Sequence, residues 1–172
     1  MKTKAPVHFQ GPPVYPFHAV CRAIHLSGKQ TGEKFSLMEA TMPSGGDGGL
    51  HAHSYEHESL HVLAGELEAT NEKDLTLLGP RESCFEPRNT PRRLGDRGAV
   101  ATRAFLIDAP AAFDAFLRND GSLFASEQML ESIPNEMEIR NVLELAGQFG
   151  VQLRKPPENH LEFAAEQPQS MC

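Results

Sequence analysis

Residues 48–65 read GGLHAHSYEHESLHVLAG and hold four histidines and two glutamates. Imidazole and carboxylate are the side chains that bind first-row divalent metals and move protons near neutral pH. Alternate residues of a strand share a face, so His51 and His53 project together. A turn over Ser54 to His57 would return Glu58 on a paired strand, facing the same interior. Two imidazoles and one carboxylate converging from two strands form a facial triad for a divalent metal. The spacing alone leaves two readings open, a metal site or a polar strand rich in histidine. His57 and His61 have the opposite parity to Glu58 and are expected to point outward. Gly45, Gly46, Gly48 and Gly49 suit a tight approach to the first strand, and Gly65 suits the turn at the far end.

The elements that would position these residues are short. From Val20 to about Leu106, apolar runs alternate with turn clusters: VCRAIHL, SGKQTGE, KFSLMEATM, PSGGDGG, SLHVLAGELEAT, NEKD, LTLLG, SCFEP and VATRAFLI. Strands at this spacing indicate an all-β sandwich or barrel. LEATNEKDLTLL reads as a hairpin with its tip at Asn71 to Asp74. Leu60 and Val62 are expected inside the barrel.

The texture changes on either side. Residues 1–18 carry Pro6, Pro12, Pro13 and Pro16 and read as an extended arm. Residues 19–109 are the barrel and 110–157 a helical extension. In PAAFDAFLRND, Phe113, Phe116 and Leu117 share a face at helical spacing, with Pro110 near the first turn. SEQMLESI reads as a further short helix. In NEMEIRNVLELAGQFG, the residues Ile139, Val142, Leu143 and Ala146 form an apolar stripe. Asn135 is a candidate cap there, and Gly147 or Gly150 a stop. Residues 158–172 read as a polar tail.

The 172 residues suit one domain with a sizeable core. A net charge of −7 argues against nucleic acid or an anionic membrane as partner. No apolar run approaches the ~20 residues of a membrane span. The N-terminus does not read as a secretory signal. Cys21, Cys84 and Cys172 are too sparse for a disulfide framework, so a cytoplasmic location is expected.

The stretch GGDGGLHAHSYEHESLHVLAG resembles the first signature of the cupins, G-x5-H-x-H-x4-E-x6-G, with Gly45, His51, His53, Glu58 and Gly65 at its defined positions. LTLLGPRESCFEPRNTPRRL resembles the second signature, G-x5-P-x-G-x2-H-x3-N, but retains only Pro87. Arg81 and Asn89 stand at its glycines, Arg92 at its histidine and Asp96 at its asparagine. The tail resembles that of single-domain cupins of the quercetin-dioxygenase-like group. The resemblance implies a single jelly-roll β-barrel with a short C-terminal helical extension. It also implies metal ligands at His51, His53 and Glu58, one divalent ion per subunit (Fe, Ni, Mn, Co or Zn), and a homodimer.

Arg92 complicates that site, because a guanidinium stays charged and offers no lone pair. Three arrangements follow. The metal stays while Arg92 swings out or meets an anionic substrate; or the metal is lost and Arg92 pairs with Glu58; or another residue, His25 foremost, supplies the missing ligand. On the surface, Arg92 would simply join the basic cluster of Arg81, Arg88, Arg93 and Arg97. The leading expectation is a metal-dependent, dioxygenase-like oxidoreductase acting on a small organic substrate, with Glu58 and Arg92 as catalytic residues. The alternatives are a metal-free cyclase, isomerase or lyase, and a non-catalytic small-molecule binder.

Overall fold

The computed structural model describes residues 11–17, 19–71, 74–124 and 136–154. Period-two alternation builds two antiparallel sheets. One sheet holds β1 (Val14–Phe17), β2 (Val20–Leu26), β3 (Ser36–Met42), β5 (His57–Ala64), β8 (Ser83–Glu86) and β10 (Thr102–Ala109), in the order β1-β2-β3-β10-β5-β8. The other holds β4 (His51–His53), β6 (Leu67–Asn71), β7 (Leu75–Leu78), β9 (Arg92–Asp96) and β11 (Val151–Leu153), in the order β11-β4-β9-β6-β7. Together they form a jelly roll.

The inner faces pack against each other. In β10, Thr102, Ala104, Leu106 and Asp108 are buried while Arg103, Ile107 and Ala109 are exposed. Leu60 and Val62 of β5 are buried, as their parity predicts. Each such aliphatic side chain stabilises the fold by about 1.5–3 kcal/mol. Asn71 and Asp74 close the β6–β7 hairpin by mutual hydrogen bonds.

Several expectations change. The Pro-rich arm contributes a real strand, since β1 pairs with β2 over its whole length. SGKQTGE, read as a turn, contains the one-turn helix α1 (Gly28–Thr31). Pro110 precedes rather than opens the next helix, α2 (Phe113–Phe124). The last helix, α3 (Glu136–Gln148), buries Val142 and Ala146, but Leu143 is 44% exposed and lies off the stripe. Asn135, SEQMLESI and residues 158–172 lie outside the described residues. Beyond α3 the extension returns to the barrel as β11, which pairs with β4. The extension is therefore partly woven into the barrel. Cys84 is a free thiol, whereas Cys21 is disulfide-bonded, which the sparse cysteines did not suggest.

Phe113, Phe116 and Leu117 are buried on one face of α2, as predicted. Phe116 meets Phe17 edge-on at 5.2 Å and Phe149 at 6.2 Å. This aromatic cluster seats α2 against the barrel. Among the described residues no helix is long and apolar enough to cross a membrane.

Candidate functional site

The histidine strand is held from both sides. β11 pairs Val151 with His53 and Leu153 with His51, and β9 pairs Arg92 with His51. Glu58 arrives differently from expectation. β5 belongs to the opposite sheet, so Glu58 faces the two histidines across the barrel rather than along a paired strand. The physical reason is that Ser54 to Glu56 carry the chain between sheets instead of folding it back as a hairpin.

His51, His53, Glu58 and Arg92 are all buried, Arg92 and His53 completely. Arg92 Nη2 lies 3.2 Å from Glu58 Oε2. His53 Nε2 lies 4.0 Å from the same oxygen. The two imidazole rings are 5.2 Å apart. Each has its Nδ1 engaged: His51 with the Gly49 carbonyl at 2.9 Å, His53 with Glu56 Oε1 at 2.5 Å. Phe113 of α2 packs edge-on against His53, ring centres 4.8 Å apart.

Both degenerate glycine positions of the second signature keep a glycine-like backbone. Arg81 has φ 76° and Asn89 φ 63°, beside φ 73° at Gly45 and φ 81° at Gly65. The register assigned to Arg92 is therefore the structural one.

Residues 38–108 match the family model for the cupin domain. The chain has the cupin jelly-roll fold. Solved structures agree on the fold. A predicted oxalate decarboxylase from Thermotoga maritima is 19% identical with a TM-score of 0.53, covering 58% of this chain and 92% of that one. The polyketide cyclase RemF from Streptomyces resistomycificus is 20% identical with a TM-score of 0.52, covering 62% and 80%. An RmlC-like cupin from Shewanella frigidimarina is 16% identical with a TM-score of 0.51, covering 64% and 96%. At these identities the likeness is one of fold. No curated protein matches the chain.

Proteins of this fold often hold a metal, and the residues of this barrel do not accommodate one readily. Among the described residues no three His, Cys, Asp or Glu side chains converge on a common point at metal-binding distances. Arg92 is the reason. It enters from the strand position beside His51 and takes the Glu58 oxygen that an ion would use. A unit charge at 4 Å repels another by about 4 kcal/mol at an effective dielectric of 20, and a divalent ion by about twice that. With Arg92 in place, the donor set does not fit an ion. His25 supplies no substitute. It sits on the outer face, 3.5 Å from Glu39 and against the Phe105 ring.

Other predicted residues fall where parity puts them. His57 stacks on the exposed Phe85, and His61 contacts Ser83 Oγ at 2.8 Å on the outer face. Arg93 pairs with Asp47, and Arg97 grips Glu68 through two nitrogens at 2.7 and 2.9 Å.

The barrel interior also holds charged groups that the motifs did not point to. Glu86, Glu58, Asp108 and Ser36 form one cross-strand row on the inner face. Arg22 lies above them, its Nη1 donating to the Phe17 and Val20 carbonyls. Its guanidinium is 5.4 Å from the Phe113 ring centre. The signal was present. Arg22 is in phase with Val20 and Ile24, and Asp108 with Ala104 and Leu106.

Burial governs how these groups ionise. It pushes the Glu58 carboxyl up, but Arg92, His53, His51 and Arg22 outweigh it and hold the group down at about 2. Burial, with Arg92, lowers His51 to about 4, and burial lowers His53 well below the usual imidazole range. Glu56 is raised to about 8 by burial and by Glu58. Asp108 is raised well above the carboxylate range by burial, then Glu58 and Glu56. Burial lowers Arg22 to about 10, which still leaves it cationic at neutral pH. Near pH 7 the site therefore presents neutral imidazoles, one firmly ionised carboxylate, a protonated Glu56 and two cations.

Proposed function

We propose that this chain is a metal-free cupin whose barrel binds a small organic molecule and acts on it by acid–base chemistry. The reaction class is isomerisation, cyclisation or lyase-type elimination. The observation that carries this reading is the buried Arg92–Glu58 pair, 3.2 Å apart at the centre of the barrel. The guanidinium supplies the positive charge that an ion would otherwise bring. Neutral His53, its Nε2 without a hydrogen-bond partner, is the proton acceptor. Asp108, raised well above its usual range, is the proton donor. Arg92 orients an oxyanion, and Glu58 holds Arg92. The working unit of this proposal is a homodimer in the cytoplasm.

One observation favours a second reading. Both Nδ1 atoms are engaged, the arrangement that presents Nε2 lone pairs to a metal. In that reading Arg92 turns away from Glu58, and a divalent ion bound by His51, His53 and Glu58 supports dioxygenase-like oxidation.

Elemental mass spectrometry of gently purified protein separates the two, with Arg92→His and His51→Ala beside it. The metal-free reading expects substoichiometric metal in the wild type and a gain of metal in Arg92→His. Near one ion per wild-type chain, lost in His51→Ala, would overturn it in favour of the metalloenzyme.

A further inference from the structure

We propose that the groove bounded by the N-terminal arm, β2, α1 and α2 is a small-molecule site separate from the barrel interior, and that it takes a monocarboxylate with a compact, rigid apolar body. The free donors of Arg118 and Gln30 receive the carboxylate, and Pro12, Pro13 and Ile24 flank the apolar part.

The groove exists because four elements meet without filling the space between them. The Pro13 carbonyl closes the arm on β2, accepting from the Ile24 N–H at 3.1 Å. α1 follows β2 at once, with Ser27 as its N-cap and Gln30 as its third residue. α2 supplies Arg118 from the other side. The space between them measures about 300 Å³, and Pro12, Pro13, Ile24, His25, Gln30 and Arg118 are among its walls. That is the lower end of the range for small-molecule pockets. The cavity inside the barrel, by contrast, measures about 20 Å³ and holds roughly one water.

The polar groups left free in this groove are donors. Gln30 Oε1 accepts from Ser27 N at 2.8 Å and from Ser27 Oγ at 2.9 Å. Those two bonds fix the amide oxygen, so the amide nitrogen turns its N–H bonds away from Ser27. Arg118 is anchored along one edge. Its Nε donates to the Asp114 carbonyl at 3.2 Å, and its Nη2 lies 2.9 Å from Asp114 Oδ2. Nη1 is left for a ligand. Asp114 is buried behind the guanidinium, where the same Oδ2 also accepts from the Gly28 N–H at 3.0 Å. No carboxylate lines the groove among the described residues, and the half-buried His25 has its Nε2 turned toward Glu39 at 3.5 Å.

Chemistry selects the ligand. Free N–H groups from a cation and an amide call for a group that only accepts, and a carboxylate accepts from a guanidinium with charge assistance. An arginine already anchored loses little freedom on binding. Pro12 and Pro13 carry no N–H, so that wall offers an apolar surface and no donor. A rigid body loses less conformational freedom against it than a long chain would, and the volume leaves no room for a large one.

Titration calorimetry of the full chain with benzoate tests this. Benzamide keeps the ring and loses the charge; acetate keeps the charge and loses the ring. Benzoate is expected to saturate with a Kd below about 1 mM, and each comparator to bind about tenfold more weakly or worse. Gln30→Glu keeps an acceptor for Ser27 and exchanges the free N–H donors for an oxygen. At this exposed position it is expected to weaken benzoate about tenfold with the melting temperature unchanged. Arg118→Met should weaken it as much, and Gln30→Glu decides the matter if that variant folds poorly. Benzoate binding that is absent, no tighter than that of either comparator, or untouched by Gln30→Glu would overturn the assignment. The reading of the barrel is tested separately, since neither variant alters a residue of its interior.

Discussion

Arg92 and Glu58 show what a buried ion pair costs to break. Removing one partner leaves an uncompensated charge in a dry interior, worth about 3–5 kcal/mol, whereas replacing both by apolar groups is often neutral. Arg92→Met is therefore expected to lower unfolding stability by that amount in urea denaturation. Arg92→Met/Glu58→Met should recover most of it. The neighbouring groups set a pH optimum. His51 is depressed from 6.5 to about 4, so its contribution is present above pH 6.5 and lost as pH falls through 4. Glu58, held at about 2 against 4.5, loses its contribution below pH 4.5. Glu56 is raised from 4.5 to about 8, so its contribution is present at low pH and lost as pH rises through 8. Unfolding stability should peak at mildly acid pH and fall on both sides, by up to about 1.4 kcal/mol per pH unit for each group. Glu56→Gln should flatten the alkaline limb. An unchanged limb would show that Glu56 does not titrate there. At this scale the sequence was partly legible. His51, His53, Glu58 and Arg92 came from motif spacing, but Arg22, Glu56 and Asp108 did not, because a charged residue in phase with apolar ones resembles a solvated position until the opposite sheet is known.

Strand turns carry the next layer of information. Gly65 has φ 81°, and a Cβ there would lie 2.5 Å from Thr102 Oγ1 and 2.6 Å from Thr102 Cα. Gly65→Ala should cost about 2–4 kcal/mol, left-handed strain and overpacking together, read by thermal or urea unfolding. Arg81 is the converse case, a non-glycine residue at φ 76°. Arg81→Gly removes about 1–2 kcal/mol of strain, partly offset by chain entropy, and should raise stability slightly. Gly65 was legible from the motif, and so were the strands, since both faces of the barrel impose a period of two. β11 and the transfer of Glu58 to the other sheet were not. Three residues make too short a strand to show a period, and periodicity cannot say whether a turn stays within one sheet.

At the scale of the whole molecule, the outer face of the six-stranded sheet is the surface on which the proposed dimer can be tested. Phe85 and Ile107, 59% and 43% exposed, flank Ser59 in one cross-strand row at the free edge β8. Sedimentation should give twice the 18.9 kDa chain mass, and Phe85→Asp should shift it toward the monomer. The other end of the barrel has a consequence in time. Phe113 lies over His53, and Arg92 has no exposed surface. A solute entering at this end must displace Phe113, and with it α2. Mixed rapidly with a ligand, the protein should respond faster as concentration rises, then level off at the pace of the helix. The same helix would set how long a captured molecule stays, whatever its affinity for the arginines beneath.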